Sequence, residues 1–288
     1  MIPSIPQPRA FRFVYVLYVA AFFLFLFAPL VVVTVFAFND SISPSPPWEG
    51  FTLHWFLGNG GDNPGLANDD ALLRSVGNSA RVAVWVTLLC IVVGTCNAFV
   101  LERHDFRFKN VLYMAMLWPL VIPGVILGIS ILLLSSTIAN SVYDAFGVEL
   151  SFLRPGLPLV VLGQFAFIST IATLVISARL RKFDASLEEA ALNLGANRPT
   201  AAFTVTLPFL RPALVGAGVV AFLMSFENFN TTLMLVGSDP PLTIQMYAMM
   251  REGSTPVVNA VSVVLIVASA LLAVVLIVVN REKGAAQE

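Results

Sequence analysis

The sequence predicts an all-α membrane protein with six transmembrane helices. Three observations carry that reading. The chain of 288 residues is 58% hydrophobic and 11% charged, a balance typical of membrane proteins. Its apolar residues gather in charge-free runs, each able to supply the roughly 20 helical residues that cross a bilayer. Of 16 Lys and Arg residues, only Arg74, Arg81, Arg154 and Arg251 fall on one set of alternate connecting segments. Positive charge marks the cytoplasmic side. The other set, which holds Arg9, Arg103, Lys109, Arg179, Lys182, Arg211 and Arg281, is therefore expected inside, and with it both termini.

The runs place the spans within a single domain, 1–288. Phe13–Asn39 follows a proline-rich start with Arg9 and Arg12. It is longer than a signal-peptide core, and no small-x-small cleavage site follows, so it reads as a retained span over 14–38. The first external loop carries PSPP, Trp48 and Trp55, then the stretch GNGGDNPGLAND. Its tryptophans suit interfacial anchoring or a binding role. Val82–Leu101 gives a second span, 79–101. Asn110–Tyr143 gives a third, 111–136, in which Pro119 and Pro123 remove backbone donors and bend the helix. Gly124 and Gly128, four apart, permit close helix packing. That stretch reads either as packing or as a kinked helix lining a path, with Trp118 at the bend. Pro155–Ala178 gives the fourth span, 156–178, and Gly253–Asn280 the sixth, 256–280.

Pro212–Ser238, the fifth run, is broken only by Glu227. Its span is expected over 212–236, with Pro212 at the favourable opening position. A carboxylate inside a bilayer is costly and should face protein, water or a cation. Glu227, Asn230 and Thr231 share a helix face by spacing, with Asn228 beside them. These four and Trp118 are the candidate path residues. The alternative for Glu227 is a solvated helix end.

Between the fourth and fifth spans lies the polar loop 179–211. Ser186 and Glu189 stand three apart, as a capping box requires. Glu188 and Glu189 occupy a first helical turn, where the dipole favours them. Leu187, Ala191 and Leu194 repeat on one face, and Gly195 supplies a left-handed stop. So short a helix must dock to be stable; it reads either as an ordinary surface helix between two spans or as a docking element, in which Ala190 and Ala191 would let a partner approach closely.

Several function classes are excluded. A net charge of −1 without a basic stripe argues against nucleic-acid binding. His54 and His104 lie far apart, and Cys90 and Cys96 lack metal-knuckle spacing, so no metal site is expected. No phosphate-binding Gly-x-x-x-x-Gly-Lys-Ser/Thr loop occurs, and no catalytic constellation lies within the spans, so the chain itself should be neither ATPase nor enzyme.

Glu189-Ala190-Ala191, then Gly195, then Val205-Thr206-Leu207-Pro208 resembles the EAA loop of ABC importer permeases, with Val205 where isoleucine is commoner. The segments WEGFTLHWF and VGSDPPLTIQMYAMMREGSTPVVNAVSVVL resemble spermidine/putrescine permeases. The resemblance implies the type I ABC importer (MetI-like) fold in the bacterial inner membrane. It implies that Glu188, Glu189, Ala190, Ala191, Gly195, Leu207 and Pro208 belong to a coupling loop that inserts into a separate ATPase. The partners implied are two ATPase copies carrying ATP and magnesium, a second permease chain, an external solute-binding protein and membrane lipid. The solute implied is a polyamine or related amine. Such permeases often carry two acidic residues where this chain has Glu227-Asn228. The alternatives are an ion-gradient-driven transporter, or a permease for an opine, an amino-acid derivative or another cation.

Overall fold

The computed structural model describes residues 8–43, 46–58, 64–253 and 256–285, with side chains to Leu271 except at Arg9. Residues 44–45 of the PSPP stretch, 59–63 of the Gly/Asn-rich stretch, and 254–255 before Pro256 lie outside the described residues. In chain order the helices are α1 (Arg9–Phe36), α2 (His54–Leu57), α3 (Asp70–Arg103), α4 (Lys109–Val121), α5 (Gly124–Phe146), α6 (Leu157–Leu180), α7 (Ser186–Asn193), α8 (Arg198–Ala201), α9 (Leu207–Phe226), α10 (Asn230–Leu235), α11 (Leu242–Glu252) and α12 (Pro256–Ala285). Among the described residues the one β interaction is an isolated antiparallel bridge, Asn39 to Phe51.

Five helical stretches among the described residues are long and apolar enough to cross a membrane: Ala10–Phe36, Asp70–Arg103, Gly124–Phe146, Leu157–Leu180 and Arg198–Phe226. In α12, the sixth, Pro256–Leu271 is apolar. The third charge-free run is two helices rather than one bent span. Pro119 sits inside α4, close enough to its end to be tolerated, whereas Pro123 caps α5 from an extended backbone and ends the continuity at Ile122.

The fifth span also departs from expectation. Pro212 lies inside a helix already running from Leu207, with Pro208 in its first turn. A π-turn, Ala202–Thr206, joins α8 to α9. Pro208 has no N–H for the carbonyl four residues back, which suits a local change of register there. At its other end α9 stops at Phe226, and a new helix starts at Asn230. Glu227, Asn230 and Thr231 therefore do not share one continuous helix face.

The chain forms two compact units, residues 1–70 with 248–288, and residues 71–247. In the first unit α1 packs with α12. The described external loop is folded around Asn39, which is 1% exposed. Its Nδ2 donates to the Pro47 carbonyl at 3.1 Å, and its Oδ1 accepts from the Glu49 N–H at 2.8 Å. Trp55 Nε1 donates to the Asn39 carbonyl at 2.7 Å. Trp55 is thus the buried centre of the loop, while Trp48 is exposed.

In the second unit α6 is the most buried span and packs against α9. Val86, Cys90, Ile168, Ile176, Leu210, Ala221 and Leu235 form the core. Small residues set the helix approaches. A Cβ added at Gly128 would lie 2.9 Å from Met234 Cβ, and one at Gly124 would lie 3.0 Å from Asn230 Cβ. The Gly124/Gly128 pair therefore lets α5 pack directly on α10.

Candidate functional site

Two polar regions interrupt the apolar second unit. The first is the loop bearing α7. Its N-terminus corrects the capping-box expectation. Ala185 is the N-cap, already in helical conformation, and makes no side-chain cap bond. Ser186 therefore sits one position too late, and the Asp184 carboxylate accepts the Ser186 N–H at 3.0 Å instead. That backbone hydrogen bond holds the Asp184 carboxyl below its ordinary value. The C-terminus follows expectation: Gly195 has φ +95°, a left-handed conformation suited to glycine.

The two neighbouring glutamates face different ways. Glu188 is turned onto the body of its own chain. Its Oε1 accepts from Thr206 Oγ1 and lies 3.3 Å from Arg103 Nη2, an ion pair without hydrogen-bond alignment. Arg103, the last residue of α3, lies over the Phe183 ring at 5.1 Å, and Phe183 meets Phe209 edge-on at 5.1 Å. Arg179 lies over the other aromatic, 4.1 Å from the Phe209 centroid. Two cation–π contacts and an ion pair thus fix the root of α7 to α3, α6 and α9. Glu189 and Ala190 are exposed, and Ala191 is half-buried. Leu187 and Leu194 also face outward, Leu194 at 89% exposure. Leu207 is half-buried and Pro208 exposed at the start of α9.

The second region lies where the two helix breaks meet. A cavity of about 270 Å³ is lined by the last turn of α4 (Pro119, Leu120), by Ile122, by Gly124 and Leu127 of α5, by Phe167 and Met224, and by Asn228, Asn230 and Thr231. The structure therefore brings three of the five candidate path residues together. Glu227 is the exposed C-cap of α9, beside the break but not in the cavity wall. Trp118 is 68% exposed on α4 and does not line the cavity.

Sequence reasoning missed the group that holds the break. Gln164 of α6 is 1% exposed. Its Nε2 donates to Thr232 Oγ1 at 2.8 Å, and its Oε1 accepts from Ser225 Oγ. Thr232 Oγ1 donates to Asn228 Oδ1 at 3.0 Å, and Thr243 Oγ1 donates to the Asn228 carbonyl, also at 3.0 Å. One buried amide thus bridges the helices on either side of the interruption. The available signal was slight: Gln164 is the sole amide in the run Pro155–Ala178.

A bundle of apolar spans with an exposed short helix rooted on arginines, and a small, partly polar cavity at paired helix breaks, is the architecture of a polytopic membrane protein. Residues 70–281 match the family described as binding-protein-dependent transport system inner membrane component, and the chain belongs to that family. It is an inner-membrane permease subunit of an ABC importer, with the type I (MetI-like) fold. It is 31% identical over 247 residues to the putrescine transport system permease protein PotI of Escherichia coli K12, covering 85% of this chain and 82% of PotI. Identity to the spermidine/putrescine permease PotC of the same strain is 26% over 267 residues, covering 92% and 93%. The molybdenum permease ModB of Mycobacterium bovis is 33% identical over 214 residues, covering 72% and 77%. A bacterial alginate ABC transporter solved with its periplasmic protein shares the fold at TM-score 0.65 and 14% identity, over 93% of this chain and 91% of that one.

Membership carries the coarser conclusions. The chain is a multi-pass inner-membrane protein and not an enzyme, ATP being hydrolysed on a separate subunit. An ATPase and a solute-binding protein are its partners. Dependence on a binding protein also sets aside the ion-gradient alternative.

Proposed function

We propose that this permease moves a small amine-bearing solute, of the polyamine class or related to it, through the cavity at the helix breaks by alternating access. Similarity to PotI over most of both chains supports the solute class, and the cavity supports a small solute. At about 270 Å³ it lies just below the usual range of roughly 300–1,000 Å³ for ligand pockets. In this reading α7 is the coupling helix. Glu189, Ala190, Ala191 and Gly195 shape its docking face, Glu188 anchors it, and Leu207-Pro208 carries its motion into α9. Two ATPase copies loaded with ATP and magnesium close on each other, and the docked helix follows. Binding of nucleotide to one state in preference to the other supplies the drive. A second, different permease chain completes the pathway. The Lys/Arg distribution supports cytoplasmic termini and a cytoplasmic α7.

The single observation carrying this reading is the helix α7, fixed to its own chain on one side through Glu188 and bare on the other at Leu187, Ala190 and Leu194. Glu227, at the break between α9 and α10, supplies the negative charge that an ammonium meets on its way to the cavity. Glu227→Gln keeps shape and removes charge. Uptake of a cationic amine by the reconstituted importer should fall at least about tenfold, equivalent to roughly 1.4 kcal/mol at the limiting step, with basal ATPase and subunit assembly retained. Normal uptake by that variant would sink the role of Glu227.

A further inference from the structure

The hydrogen bonds around Asn228 fix which end of its amide the cavity sees. The Thr232 main-chain N–H lies 3.3 Å from Asn228 Oδ1. A backbone N–H can only donate, so the atom it meets is an oxygen, and Thr232 Oγ1 spends its proton on that same oxygen. The Asn228 carbonyl is likewise engaged by Thr243 Oγ1. What remains is Nδ2 with its two N–H donors, which find no acceptor among the described residues. Asn228 lines the cavity, so the cavity is offered a donor there.

The break between α4 and α5 adds two opposite poles to the same wall. The Pro119 carbonyl would be met by the N–H of residue 123, but that residue is proline and has none. The Leu120 carbonyl also receives no bond among the described residues, because the chain turns extended at Ile122. Both residues line the cavity, at the negative end of the α4 dipole. Across the break α5 begins at Gly124, and its first helical bond is Leu127 N–H to the Pro123 carbonyl at 3.0 Å. The amides before Leu127 form the positive end of a 23-residue helix, and Gly124 lines the cavity beside Asn230. No carboxylate lines it.

Two like charges do not suit such a wall, whereas two unlike charges do. We propose that the cavity takes a small zwitterion, an ω-amino carboxylate. Its ammonium meets the α4 carbonyls, and its carboxylate accepts from Asn228 Nδ2 and the start of α5. The proposal rests on the reading of this cavity as the solute path. A hydrogen bond from Asn228 Nδ2 to a carboxylate is charge-assisted, and so stronger than one between neutral partners. Gln164 is then a positioning residue: by donating to Thr232 it directs the Thr232 proton onto Asn228 Oδ1 and keeps Nδ2 turned outward.

The test uses the complete importer with its ATPase, second permease chain and binding protein in ATP-loaded proteoliposomes. Uptake of labelled 4-aminobutyrate is compared with that of 1,4-diaminobutane, the same chain length with a second ammonium. Wild type should favour the aminocarboxylate. Asn228→Asp replaces the donor with a charged acceptor, and the uptake ratio should shift at least about tenfold toward the diamine, or roughly 1.4 kcal/mol. Thr232→Val, which frees the amide to turn, should shift the ratio the same way by a smaller factor and covers the case in which Asn228→Asp fails to assemble. A wild-type preference for the diamine, or a ratio that neither variant moves, overturns the zwitterion. Failure of both compounds to enter with wild type, although the importer is assembled and hydrolyses ATP, sinks the amine-solute reading instead.

Discussion

The loop at α7 and the cavity at the helix breaks are the two polar regions of one apolar unit, and they are built in opposite ways. The loop is polar because it leaves the bilayer. Apart from the contacts of Glu188 with Arg103 and Thr206 at its root, its bonds join near neighbours in sequence: Asp184 bonds Ser186, Asn197 Oδ1 accepts from the Thr200 N–H at 2.8 Å, and Gly195 ends the helix. The cavity brings three polar side chains, Asn228, Asn230 and Thr231, into the apolar unit, and distant segments hold it. Gln164 reaches Ser225 and Thr232, while Thr231 Oγ1 donates to the Gly124 carbonyl at 3.3 Å. A region held locally can move as a unit and transmit force. A region held across helices changes only when the helices do. In the proposed function, coupling and solute handling thus rest on differently held structures.

The sharpest way to break this contrast is to block the loop and leave the cavity alone. Ala190 is exposed, so added bulk there meets a partner and not the chain's own core. Ala190→Trp should abolish uptake and solute-stimulated ATPase, with the permease still extracted as a stable folded protein. Gly195→Pro should do the same, because proline's φ near −65° cannot replace +95°. Co-purification with the ATPase measures the loss directly. Normal transport by both variants would make α7 a mere connection between spans.

The complementary change enters the cavity region and spares the loop. Gln164→Leu is close in volume and leaves the Ser225 hydroxyl without its acceptor and Thr232 Oγ1 without its donor. A buried polar group left unpaired costs about 1–3 kcal/mol in water-soluble proteins, and measured bonds within membranes average about 0.6 kcal/mol. The expected loss is therefore about 1–2 kcal/mol, read as a lower melting temperature of the detergent-solubilised permease, with several-fold slower uptake. ATPase co-purification should be unchanged. An unaltered melting temperature would show that the amide does not hold the break.

How much of each region the sequence revealed follows from the same contrast. The spans were legible because charge-free runs are local, and the outward residues of α7 were legible because their spacing is local too. The break after α9 was not. Glu227 is the only charge between Pro212 and Ser238, so the run reads as one span, and the competitor is the Asn228 side chain, which accepts the Thr232 N–H in the first turn of a new helix. The two prolines of the third run signalled distortion without saying which would end the helix. Pro119 lies within a turn of the end of α4, and Pro123 forms the cap of α5, a distinction only the folded backbone makes. Glu188 was grouped with Glu189 as part of one docking motif, and only the folded chain brings Arg103 and Thr206 to it.

The smallest expected effect separates the capping box that the spacing suggests from the cap that the fold uses. If Asp184 holds the first turn of α7, Asp184→Ala should speed amide exchange at Ser186 through Glu189, while Ser186→Ala should do so less. The sign of the pH dependence follows from the direction of the shift. The folded carboxyl lies below its ordinary value of 3.8, chiefly because the ionised form accepts the Ser186 N–H. Its contribution is complete above the unfolded value and is lost as pH falls through the lower, folded one. Wild type and Asp184→Ala should therefore differ at neutral pH and converge once the pH falls well below 3.8. The carboxylate is fully exposed, so solvent screens it, and transport at neutral pH should change less than about twofold. A difference in exchange that persisted after protonation would assign the cap to some other property of Asp184, and a larger effect from Ser186→Ala would restore the capping box.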